Sequence, residues 1–136
     1  MSWPRAAFRG LNALATVAFL LFAAVQYNDP DPVRWMAIYL AAALSCALAV
    51  MGRLRWPLPA LAAAAALAWA GVWAPRVVGQ VDWGHAFAGA GMSGDVKEEE
   101  ARELGGLLIV AAWCALLALA SLPGRRGTPG TGKGVR

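Results

Sequence analysis

The feature that most constrains the fold is a run of 19 residues without a charge, residues 104–122, which directly follows a dense block of charge. At ~1.5 Å per residue, a helix of this length spans about 28 Å, close to the roughly 30 Å hydrocarbon core of a bilayer. The preceding block reads Lys97-Glu98-Glu99-Glu100-Ala101-Arg102-Glu103. We therefore predict a membrane-spanning helix with Glu103 at the membrane surface.

Residue types also predict where this helix begins. Asp95 is followed three positions later by Glu98, which matches an acidic version of the capping box. The glutamates that follow fall in the first turn, where the helix dipole favours negative charge. The helix should therefore begin near Val96.

Three further apolar runs have the length of membrane spans, at about residues 10–27, 33–51 and 58–74. Hydrophobic residues make up 60% of the chain, against roughly 45 to 50% in a soluble domain. The predicted fold class is all-α, a polytopic membrane protein with a four-transmembrane-helix bundle. One membrane domain, residues 1–122, precedes a disordered basic cytoplasmic tail, residues 123–136.

The first span has the opening of a signal peptide, because Arg5 and Arg9 precede it. No small-x-small cleavage pattern follows its apolar core, so we predict a retained helix. The segment Asn28-Asp29-Pro30-Asp31-Pro32 then ends the helix, since proline removes a donor and disfavours helical backbone in the residue before it. Asp31 and Pro32 form a good N-cap and N1 pair, which predicts the start of the second helix.

The third span is rich in alanine, and residues 62–66 are all alanine. Small residues permit close backbone approach between helices in lipid, so we predict that the third helix is central in the bundle and ends before Pro75. The alternative is an alanine face exposed to lipid. Cys46 and Cys114 lie deep inside apolar spans, which indicates buried packing residues rather than a structural disulfide.

Charge counts predict the orientation of the chain. The N-terminal segment, the second connection and the tail hold eight basic and no acidic residues, whereas the opposite side holds four basic and eight acidic residues. The positive-inside rule then places both termini in the cytoplasm. The basic residues are divided between connections and a tail, so nucleic acid is excluded as a partner and the lipid bilayer is expected.

The two acidic connections lie on one side of the predicted bundle, so their polar side chains can meet there. Ionisable groups at membrane depth are costly, and they are a functional hypothesis by default. In the fourth helix Glu99, Arg102 and Glu103 fall within roughly a 100° arc, which surrounds one guanidinium with carboxylates. The candidate polar cluster consists of Gln26, Asn28, Asp29, Asp31, Arg34, Glu99, Arg102 and Glu103.

Two interpretations of this cluster remain open. In the first, it belongs to a non-enzymatic membrane component and either structures the bundle, with Arg102 bonding the carboxylates, or docks a membrane-protein partner or second copy. In the second, the same residues form a ligand, divalent-cation or substrate site, including that of a membrane enzyme. Carboxylates suit Ca²⁺ or Mg²⁺, but no EF-hand spacing supports such a site. We favour the first interpretation and predict no cofactor.

The one histidine, His85, is a weaker candidate. It lies in a glycine-rich connection, residues 75–95, which either rests on the membrane interface or dips into the bundle. No metal-binding histidine motif, Cys-x-x-Cys, Gly-x-Ser-x-Gly or phosphate-binding loop occurs in the chain, so the sequence favours a non-enzymatic protein. A lone loop histidine is more often a structural donor.

Two motifs far apart in the sequence resemble the transmembrane protein 220 family. The first comprises Val25-Gln26, Asn28-Asp29-Pro30-Asp31, Trp35 and Tyr39. The second comprises Glu98-Glu99-Glu100, Arg102-Glu103-Leu104, Gly106-Leu107, Ile109 and Trp113. The resemblance implies a multi-helix membrane protein with these acidic boundary motifs as markers, and it implies no reaction.

The orientation can be tested by thiol labelling in intact cells. Cysteines introduced at Ser2 and at Gly130 should be shielded from a membrane-impermeant thiol reagent, because the basic bias places both ends in the cytoplasm. Labelling of either position before the cells are opened would overturn this topology.

Overall fold

Four helices make up most of the described chain. The computed structural model describes residues 4–77 and 96–124, without the side chains of residue 76 and residues 96–99. The helices are α1 (Arg5–Val25), α2 (Pro32–Val50), α3 (Pro57–Val77) and α4 (Val96–Ala120), and one 3-10 turn, Gln26–Asn28, follows α1. All four are long and apolar enough to cross a membrane, and the described residues form no strand. The predicted all-α, four-span fold class is confirmed.

Two predicted helix starts agree with the structure, and one predicted helix end differs from it. Helix α4 begins at Val96, and α2 begins at Pro32 with Asp31 as its N-cap residue. Helix α1 begins at Arg5, so the helix includes residues before the uncharged run of the predicted span. Helix α3 continues through Pro75, which lies inside the helix, because a proline there removes only one backbone donor from a long helix.

The central helix is α2, which corrects the prediction that the third helix is central. Helix α2 packs against the other three helices, whereas α3 packs against α2 and α4. In the membrane-spanning window, 44% of α2 is buried against 28% of α3. The alanines of α3 do allow close approach, but on one face only, because Ala63 and Ala66 are buried while Ala64 and Ala65 are exposed.

Helices α2 and α4 run parallel in matching register. Tyr39 of α2 contacts Gly106 of α4, and seven residues further along each helix Cys46 lies beside Trp113. A seven-residue interval on both helices is the spacing that keeps one seam in contact in a left-handed helix pair. Cys46 and Cys114 are free and fully buried, as expected for packing residues.

Helices α1 and α4 meet through one hydrogen-bonded pair of side chains. Their backbones do not come into close contact over the described residues, but Trp113 Nε1 donates to Asn12 Oδ1 at 3.2 Å. Asn12 is only 2% exposed, and its Nδ2 donates to the carbonyl oxygen of Phe8 at 2.9 Å. Because an unpaired amide in hydrocarbon is costly, both polar ends of this side chain are satisfied within the protein.

The bundle therefore has two chemically different ends. At the acidic end, α1 and α3 finish and α2 and α4 begin. At the basic end, α1 and α3 begin and α2 and α4 finish. The prediction of a tail over residues 123–136 concerns residues that lie almost wholly outside the described part of the chain.

Candidate functional site at the acidic end

The turn between α1 and α2 is held by its own backbone and one carboxylate. The backbone N–H of Asp29 donates to the carbonyl oxygen of Gln26 at 2.9 Å. The N–H of Asp31 donates to Asp29 Oδ1, also at 2.9 Å, which is an Asx turn. Gln26 and Asp29 are half-buried, whereas Asn28 is exposed. Hydrogen bonds within the turn therefore help to order Asp29 and Asp31.

Asp31 is the N-cap residue of α2, but its side chain does not cap the helix as predicted. Its side chain makes no capping hydrogen bond to α2, and its carboxylate forms an ion pair with Arg34 one turn along the helix. Arg34 also lies over the ring of Trp69 in α3, with 5.7 Å between the guanidinium carbon and the ring centroid. Trp35 and Trp69 pack at 4.3 Å between centroids, with an interplanar angle of 31°.

The free energies of these three interactions show which one contributes most to this part of the site. The ion pair is largely exposed, with 67% of the Arg34 side chain accessible, so it contributes about 0 to 1 kcal/mol. An exposed cation-π contact adds about 0.5 to 1 kcal/mol. The tryptophan pair gains about 0.5 to 1.5 kcal/mol beyond the area it buries. Packing of Trp35 against Trp69 therefore contributes the most free energy of the three. Arg34 contributes less and forms part of the exposed rim of the site, together with the α1–α2 turn.

Tyr39 connects three helices just below this rim. It is 5% exposed, and its ring meets Phe22 of α1 edge-on at 5.6 Å between centroids. A Cβ atom built on Gly106 would lie 2.1 Å from the Tyr39 hydroxyl oxygen and 3.3 Å from its Cζ atom. Glu103, one turn before Gly106, lies close enough to act electrostatically on the Tyr39 phenol. The glycine therefore provides the space in which the hydroxyl approaches α4.

The acidic residues of α4 are placed at the edge of the bundle. Glu100, Arg102 and Glu103 are half-buried, and one carboxylate oxygen of Glu100 is buried. An ion pair joins Asp31 to Arg34, and Glu100 and Glu103 have interaction partners as well. The side chain of Glu99 and the whole of His85 lie outside the described residues.

The described part of the candidate polar cluster thus forms two groups. One group is the α1–α2 turn with Asp29, Asp31 and Arg34, and the other is Glu103, which acts electrostatically on Tyr39. In this part of the chain, no three His, Cys, Asp or Glu side chains gather where they could hold a metal ion. A single cluster that joins both groups through Arg102 stays a prediction.

Three residues of this site were not assigned to it from the sequence. Trp69 lies in a run of alanines whose partner helix could not be known in advance. Tyr39 and Gly106 belong to the family motifs, but a tyrosine near a helix start is ordinary at a membrane interface. The available signal was the Gly105-Gly106 pair at the start of an apolar helix, because glycine in such a helix permits close approach of a neighbour.

Fold and site together define a polytopic membrane protein, with four helices long enough to span the membrane among its described residues and a polar, acidic end. A family model described as Transmembrane family 220, helix, matches residues 18–119, which is most of the chain. The chain belongs to this family, and the resemblance of its two motifs is confirmed. No solved structure matches the chain.

The contact between Tyr39 and Gly106 can be tested by substitution. Gly106→Ala should lower the free energy of unfolding in mixed micelles by about 1 to 3 kcal/mol, because the new methyl group overpacks the seam. In a Tyr39→Phe background the hydroxyl is absent, and the same substitution should lose less than about 1 kcal/mol.

Gly71→Ala is the matched control, because Gly71 lies within α3 and a Cβ atom there meets nothing within 4 Å. Its stability should be unchanged or slightly raised, since alanine has the higher helix propensity. Equal effects of Gly106→Ala in the wild-type and Tyr39→Phe backgrounds would show that the hydroxyl does not limit the packing.

Proposed function

We propose that this protein is a non-enzymatic membrane component whose acidic end orders the bundle and docks a partner protein in the membrane. The observation that carries the proposal is the position of Tyr39, which contacts α1 and α4 within electrostatic range of Glu103. A phenol used in this way joins helices of the same chain. It serves as a structural contact near the membrane surface, where polar groups need partners.

The remaining polar groups of the rim support the same function. Arg34 contacts both Asp31 and Trp69, so it links the α1–α2 turn to α3. Asp29 accepts a backbone hydrogen bond within the turn. These groups fix the shape of the surface through contacts with one another, which supports a structural role.

The partner surface is the exposed part of the α1–α2 turn. Tyr27 is 71% exposed, and Val33 is similarly accessible on the other side of Asp29 and Asp31. This side of the chain carries eight acidic and four basic residues. A partner of complementary chemistry therefore presents basic residues just outside the bilayer, together with an apolar contact for Tyr27 and Val33.

Divalent cations distinguish this proposal from the cation-site interpretation. The melting temperature of the detergent-purified protein should be the same with and without millimolar Ca²⁺ or Mg²⁺, because a structural cluster gains nothing from mass action. A rise in melting temperature that disappears in the variant Glu99→Gln with Glu103→Gln would contradict the proposal and favour a cation site.

Partner docking can be tested with a photo-reactive amino acid at position 27. Position 14 is the matched control, because Leu14 and Tyr27 are equally exposed at 71% on α1 and the turn that follows it. In native membranes, position 27 should give a protein cross-link that weakens as salt increases, since exposed charges are screened. The same cross-links at both positions, or a cross-link insensitive to salt, would contradict docking at the acidic end.

A further inference from the structure

A groove opens between α1 and α4 at the basic end of the bundle, far from the acidic end. Its volume is about 980 Å³, and it continues into a cavity of about 420 Å³ that shares Arg5, Phe8 and Ala49 with its lining. The larger volume falls in the range of ligand sites in proteins, roughly 300 to 1,000 Å³. The groove exists because the α1 and α4 backbones are not in close contact over the described residues.

The groove changes in chemistry from its mouth to its deep end. Arg5 and Arg9, both exposed, lie at the mouth, and the walls are mostly apolar, with Phe8 on α1 and Leu116 on α4. The hydrogen bond between Asn12 and Trp113 closes the deep end. Arg5 and Asn12 are seven residues apart on one helix, so the groove extends about 10 Å into the membrane from its charged mouth.

We propose that this groove binds one acidic phospholipid of the leaflet at the basic end. The phosphate lies between Arg5 and Arg9, and one acyl chain lies between α1 and α4. Guanidinium groups bind phosphate oxygens with two parallel hydrogen bonds, which suits this mouth. No acidic residue is among the described residues that line the groove, so nothing there repels the phosphate.

Charge argues against the other occupants that the chain could supply. The segment after α4 carries Arg125, Arg126, Lys133 and Arg136 and no acidic residue, so it would meet like charges at the mouth. A second copy in the same membrane orientation would bring its own basic end to the same level. In the orientation that the basic residues favour, this end faces the cytoplasmic leaflet, which carries acidic lipids.

Native mass spectrometry of the full-length, detergent-purified protein tests the proposal with two probes of identical acyl chains, phosphatidylglycerol and phosphatidylcholine. The wild-type protein should retain one phosphatidylglycerol and prefer it over phosphatidylcholine. Arg5→Gln with Arg9→Gln should reduce this preference about 10- to 30-fold, the effect expected for two basic residues near a membrane surface.

Two further variants separate the headgroup from the acyl chain. Arg53→Gln with Arg55→Gln is the matched control, because both arginines are exposed at the same end and neither lines the groove. It should keep the wild-type preference. Ala120→Phe places a large side chain in the groove wall and retains both mouth arginines. It should lose the bound lipid.

Several results would overturn the proposal. Equal retention of the two lipids by the wild-type protein would show that the mouth does not recognise acidic headgroups. A wild-type preference in Ala120→Phe would show headgroup binding without the groove. A dimer that Ala120→Phe converts to a monomer would identify a second copy as the occupant. If Arg5→Gln with Arg9→Gln does not fold, loss of preference in Ala120→Phe with retention in the Arg53 and Arg55 variant still supports the proposal.

Discussion

The structure depends on one constraint, which is that the bilayer core offers no hydrogen-bond partner to a polar group. The helices satisfy this constraint for the backbone. Asn12 satisfies it for a side chain, since its oxygen accepts from Trp113 and its nitrogen donates to the carbonyl of Phe8. Ser45 does so by donating to the carbonyl oxygen of Ala41 at 2.9 Å, and is fully buried as a result. Polar atoms within the spans are therefore part of the packing.

The same constraint explains why α2 is central. Lipid provides no hydrophobic force between helices, so association depends on close contact and on a few polar contacts. Helix α2 supplies both, with small residues such as Ala42 and Ala43 fully or almost fully buried and Tyr39 in contact with two neighbours. Helix α3 has more consecutive alanines but places only one face against α4. Small side chains therefore let two helices approach closely. The position of a helix in the bundle depends instead on how many of its faces contact other helices.

Local features were predictable from the sequence, because they depend on residues within one or two turns. The start of α4 at Val96 follows from the acidic first turn, and the start of α2 follows from the Asp31 and Pro32 pair. The order and number of spans follow from the lengths of the apolar runs. None of these required knowledge of which helices meet.

Contacts between helices were not predictable in the same way. Asn12 and Trp113 are 101 residues apart, and a single asparagine in an apolar run does not indicate which helix supplies its partner. A contact of Arg102 with the first turn stays a prediction, because charge and topology place both at one end but do not fix side-chain distances. The ion pair of Asp31 with Arg34 is a local contact, since these residues are three positions apart.

Two side chains, Tyr39 and Trp113, bridge the gap between α1 and α4. Near the acidic end, the Phe22 ring on α1 meets Tyr39, which in turn touches Gly106 of α4, so an α2 side chain lies between the two helices. Near the basic end, the indole of Trp113 reaches Asn12 across the gap. Because the indole N–H donates to the buried Asn12 oxygen, a residue without a donor at position 113 would leave this amide oxygen unpaired. The hydrogen bond between Trp113 and Asn12 therefore joins α1 and α4 at the deep end of the groove between them.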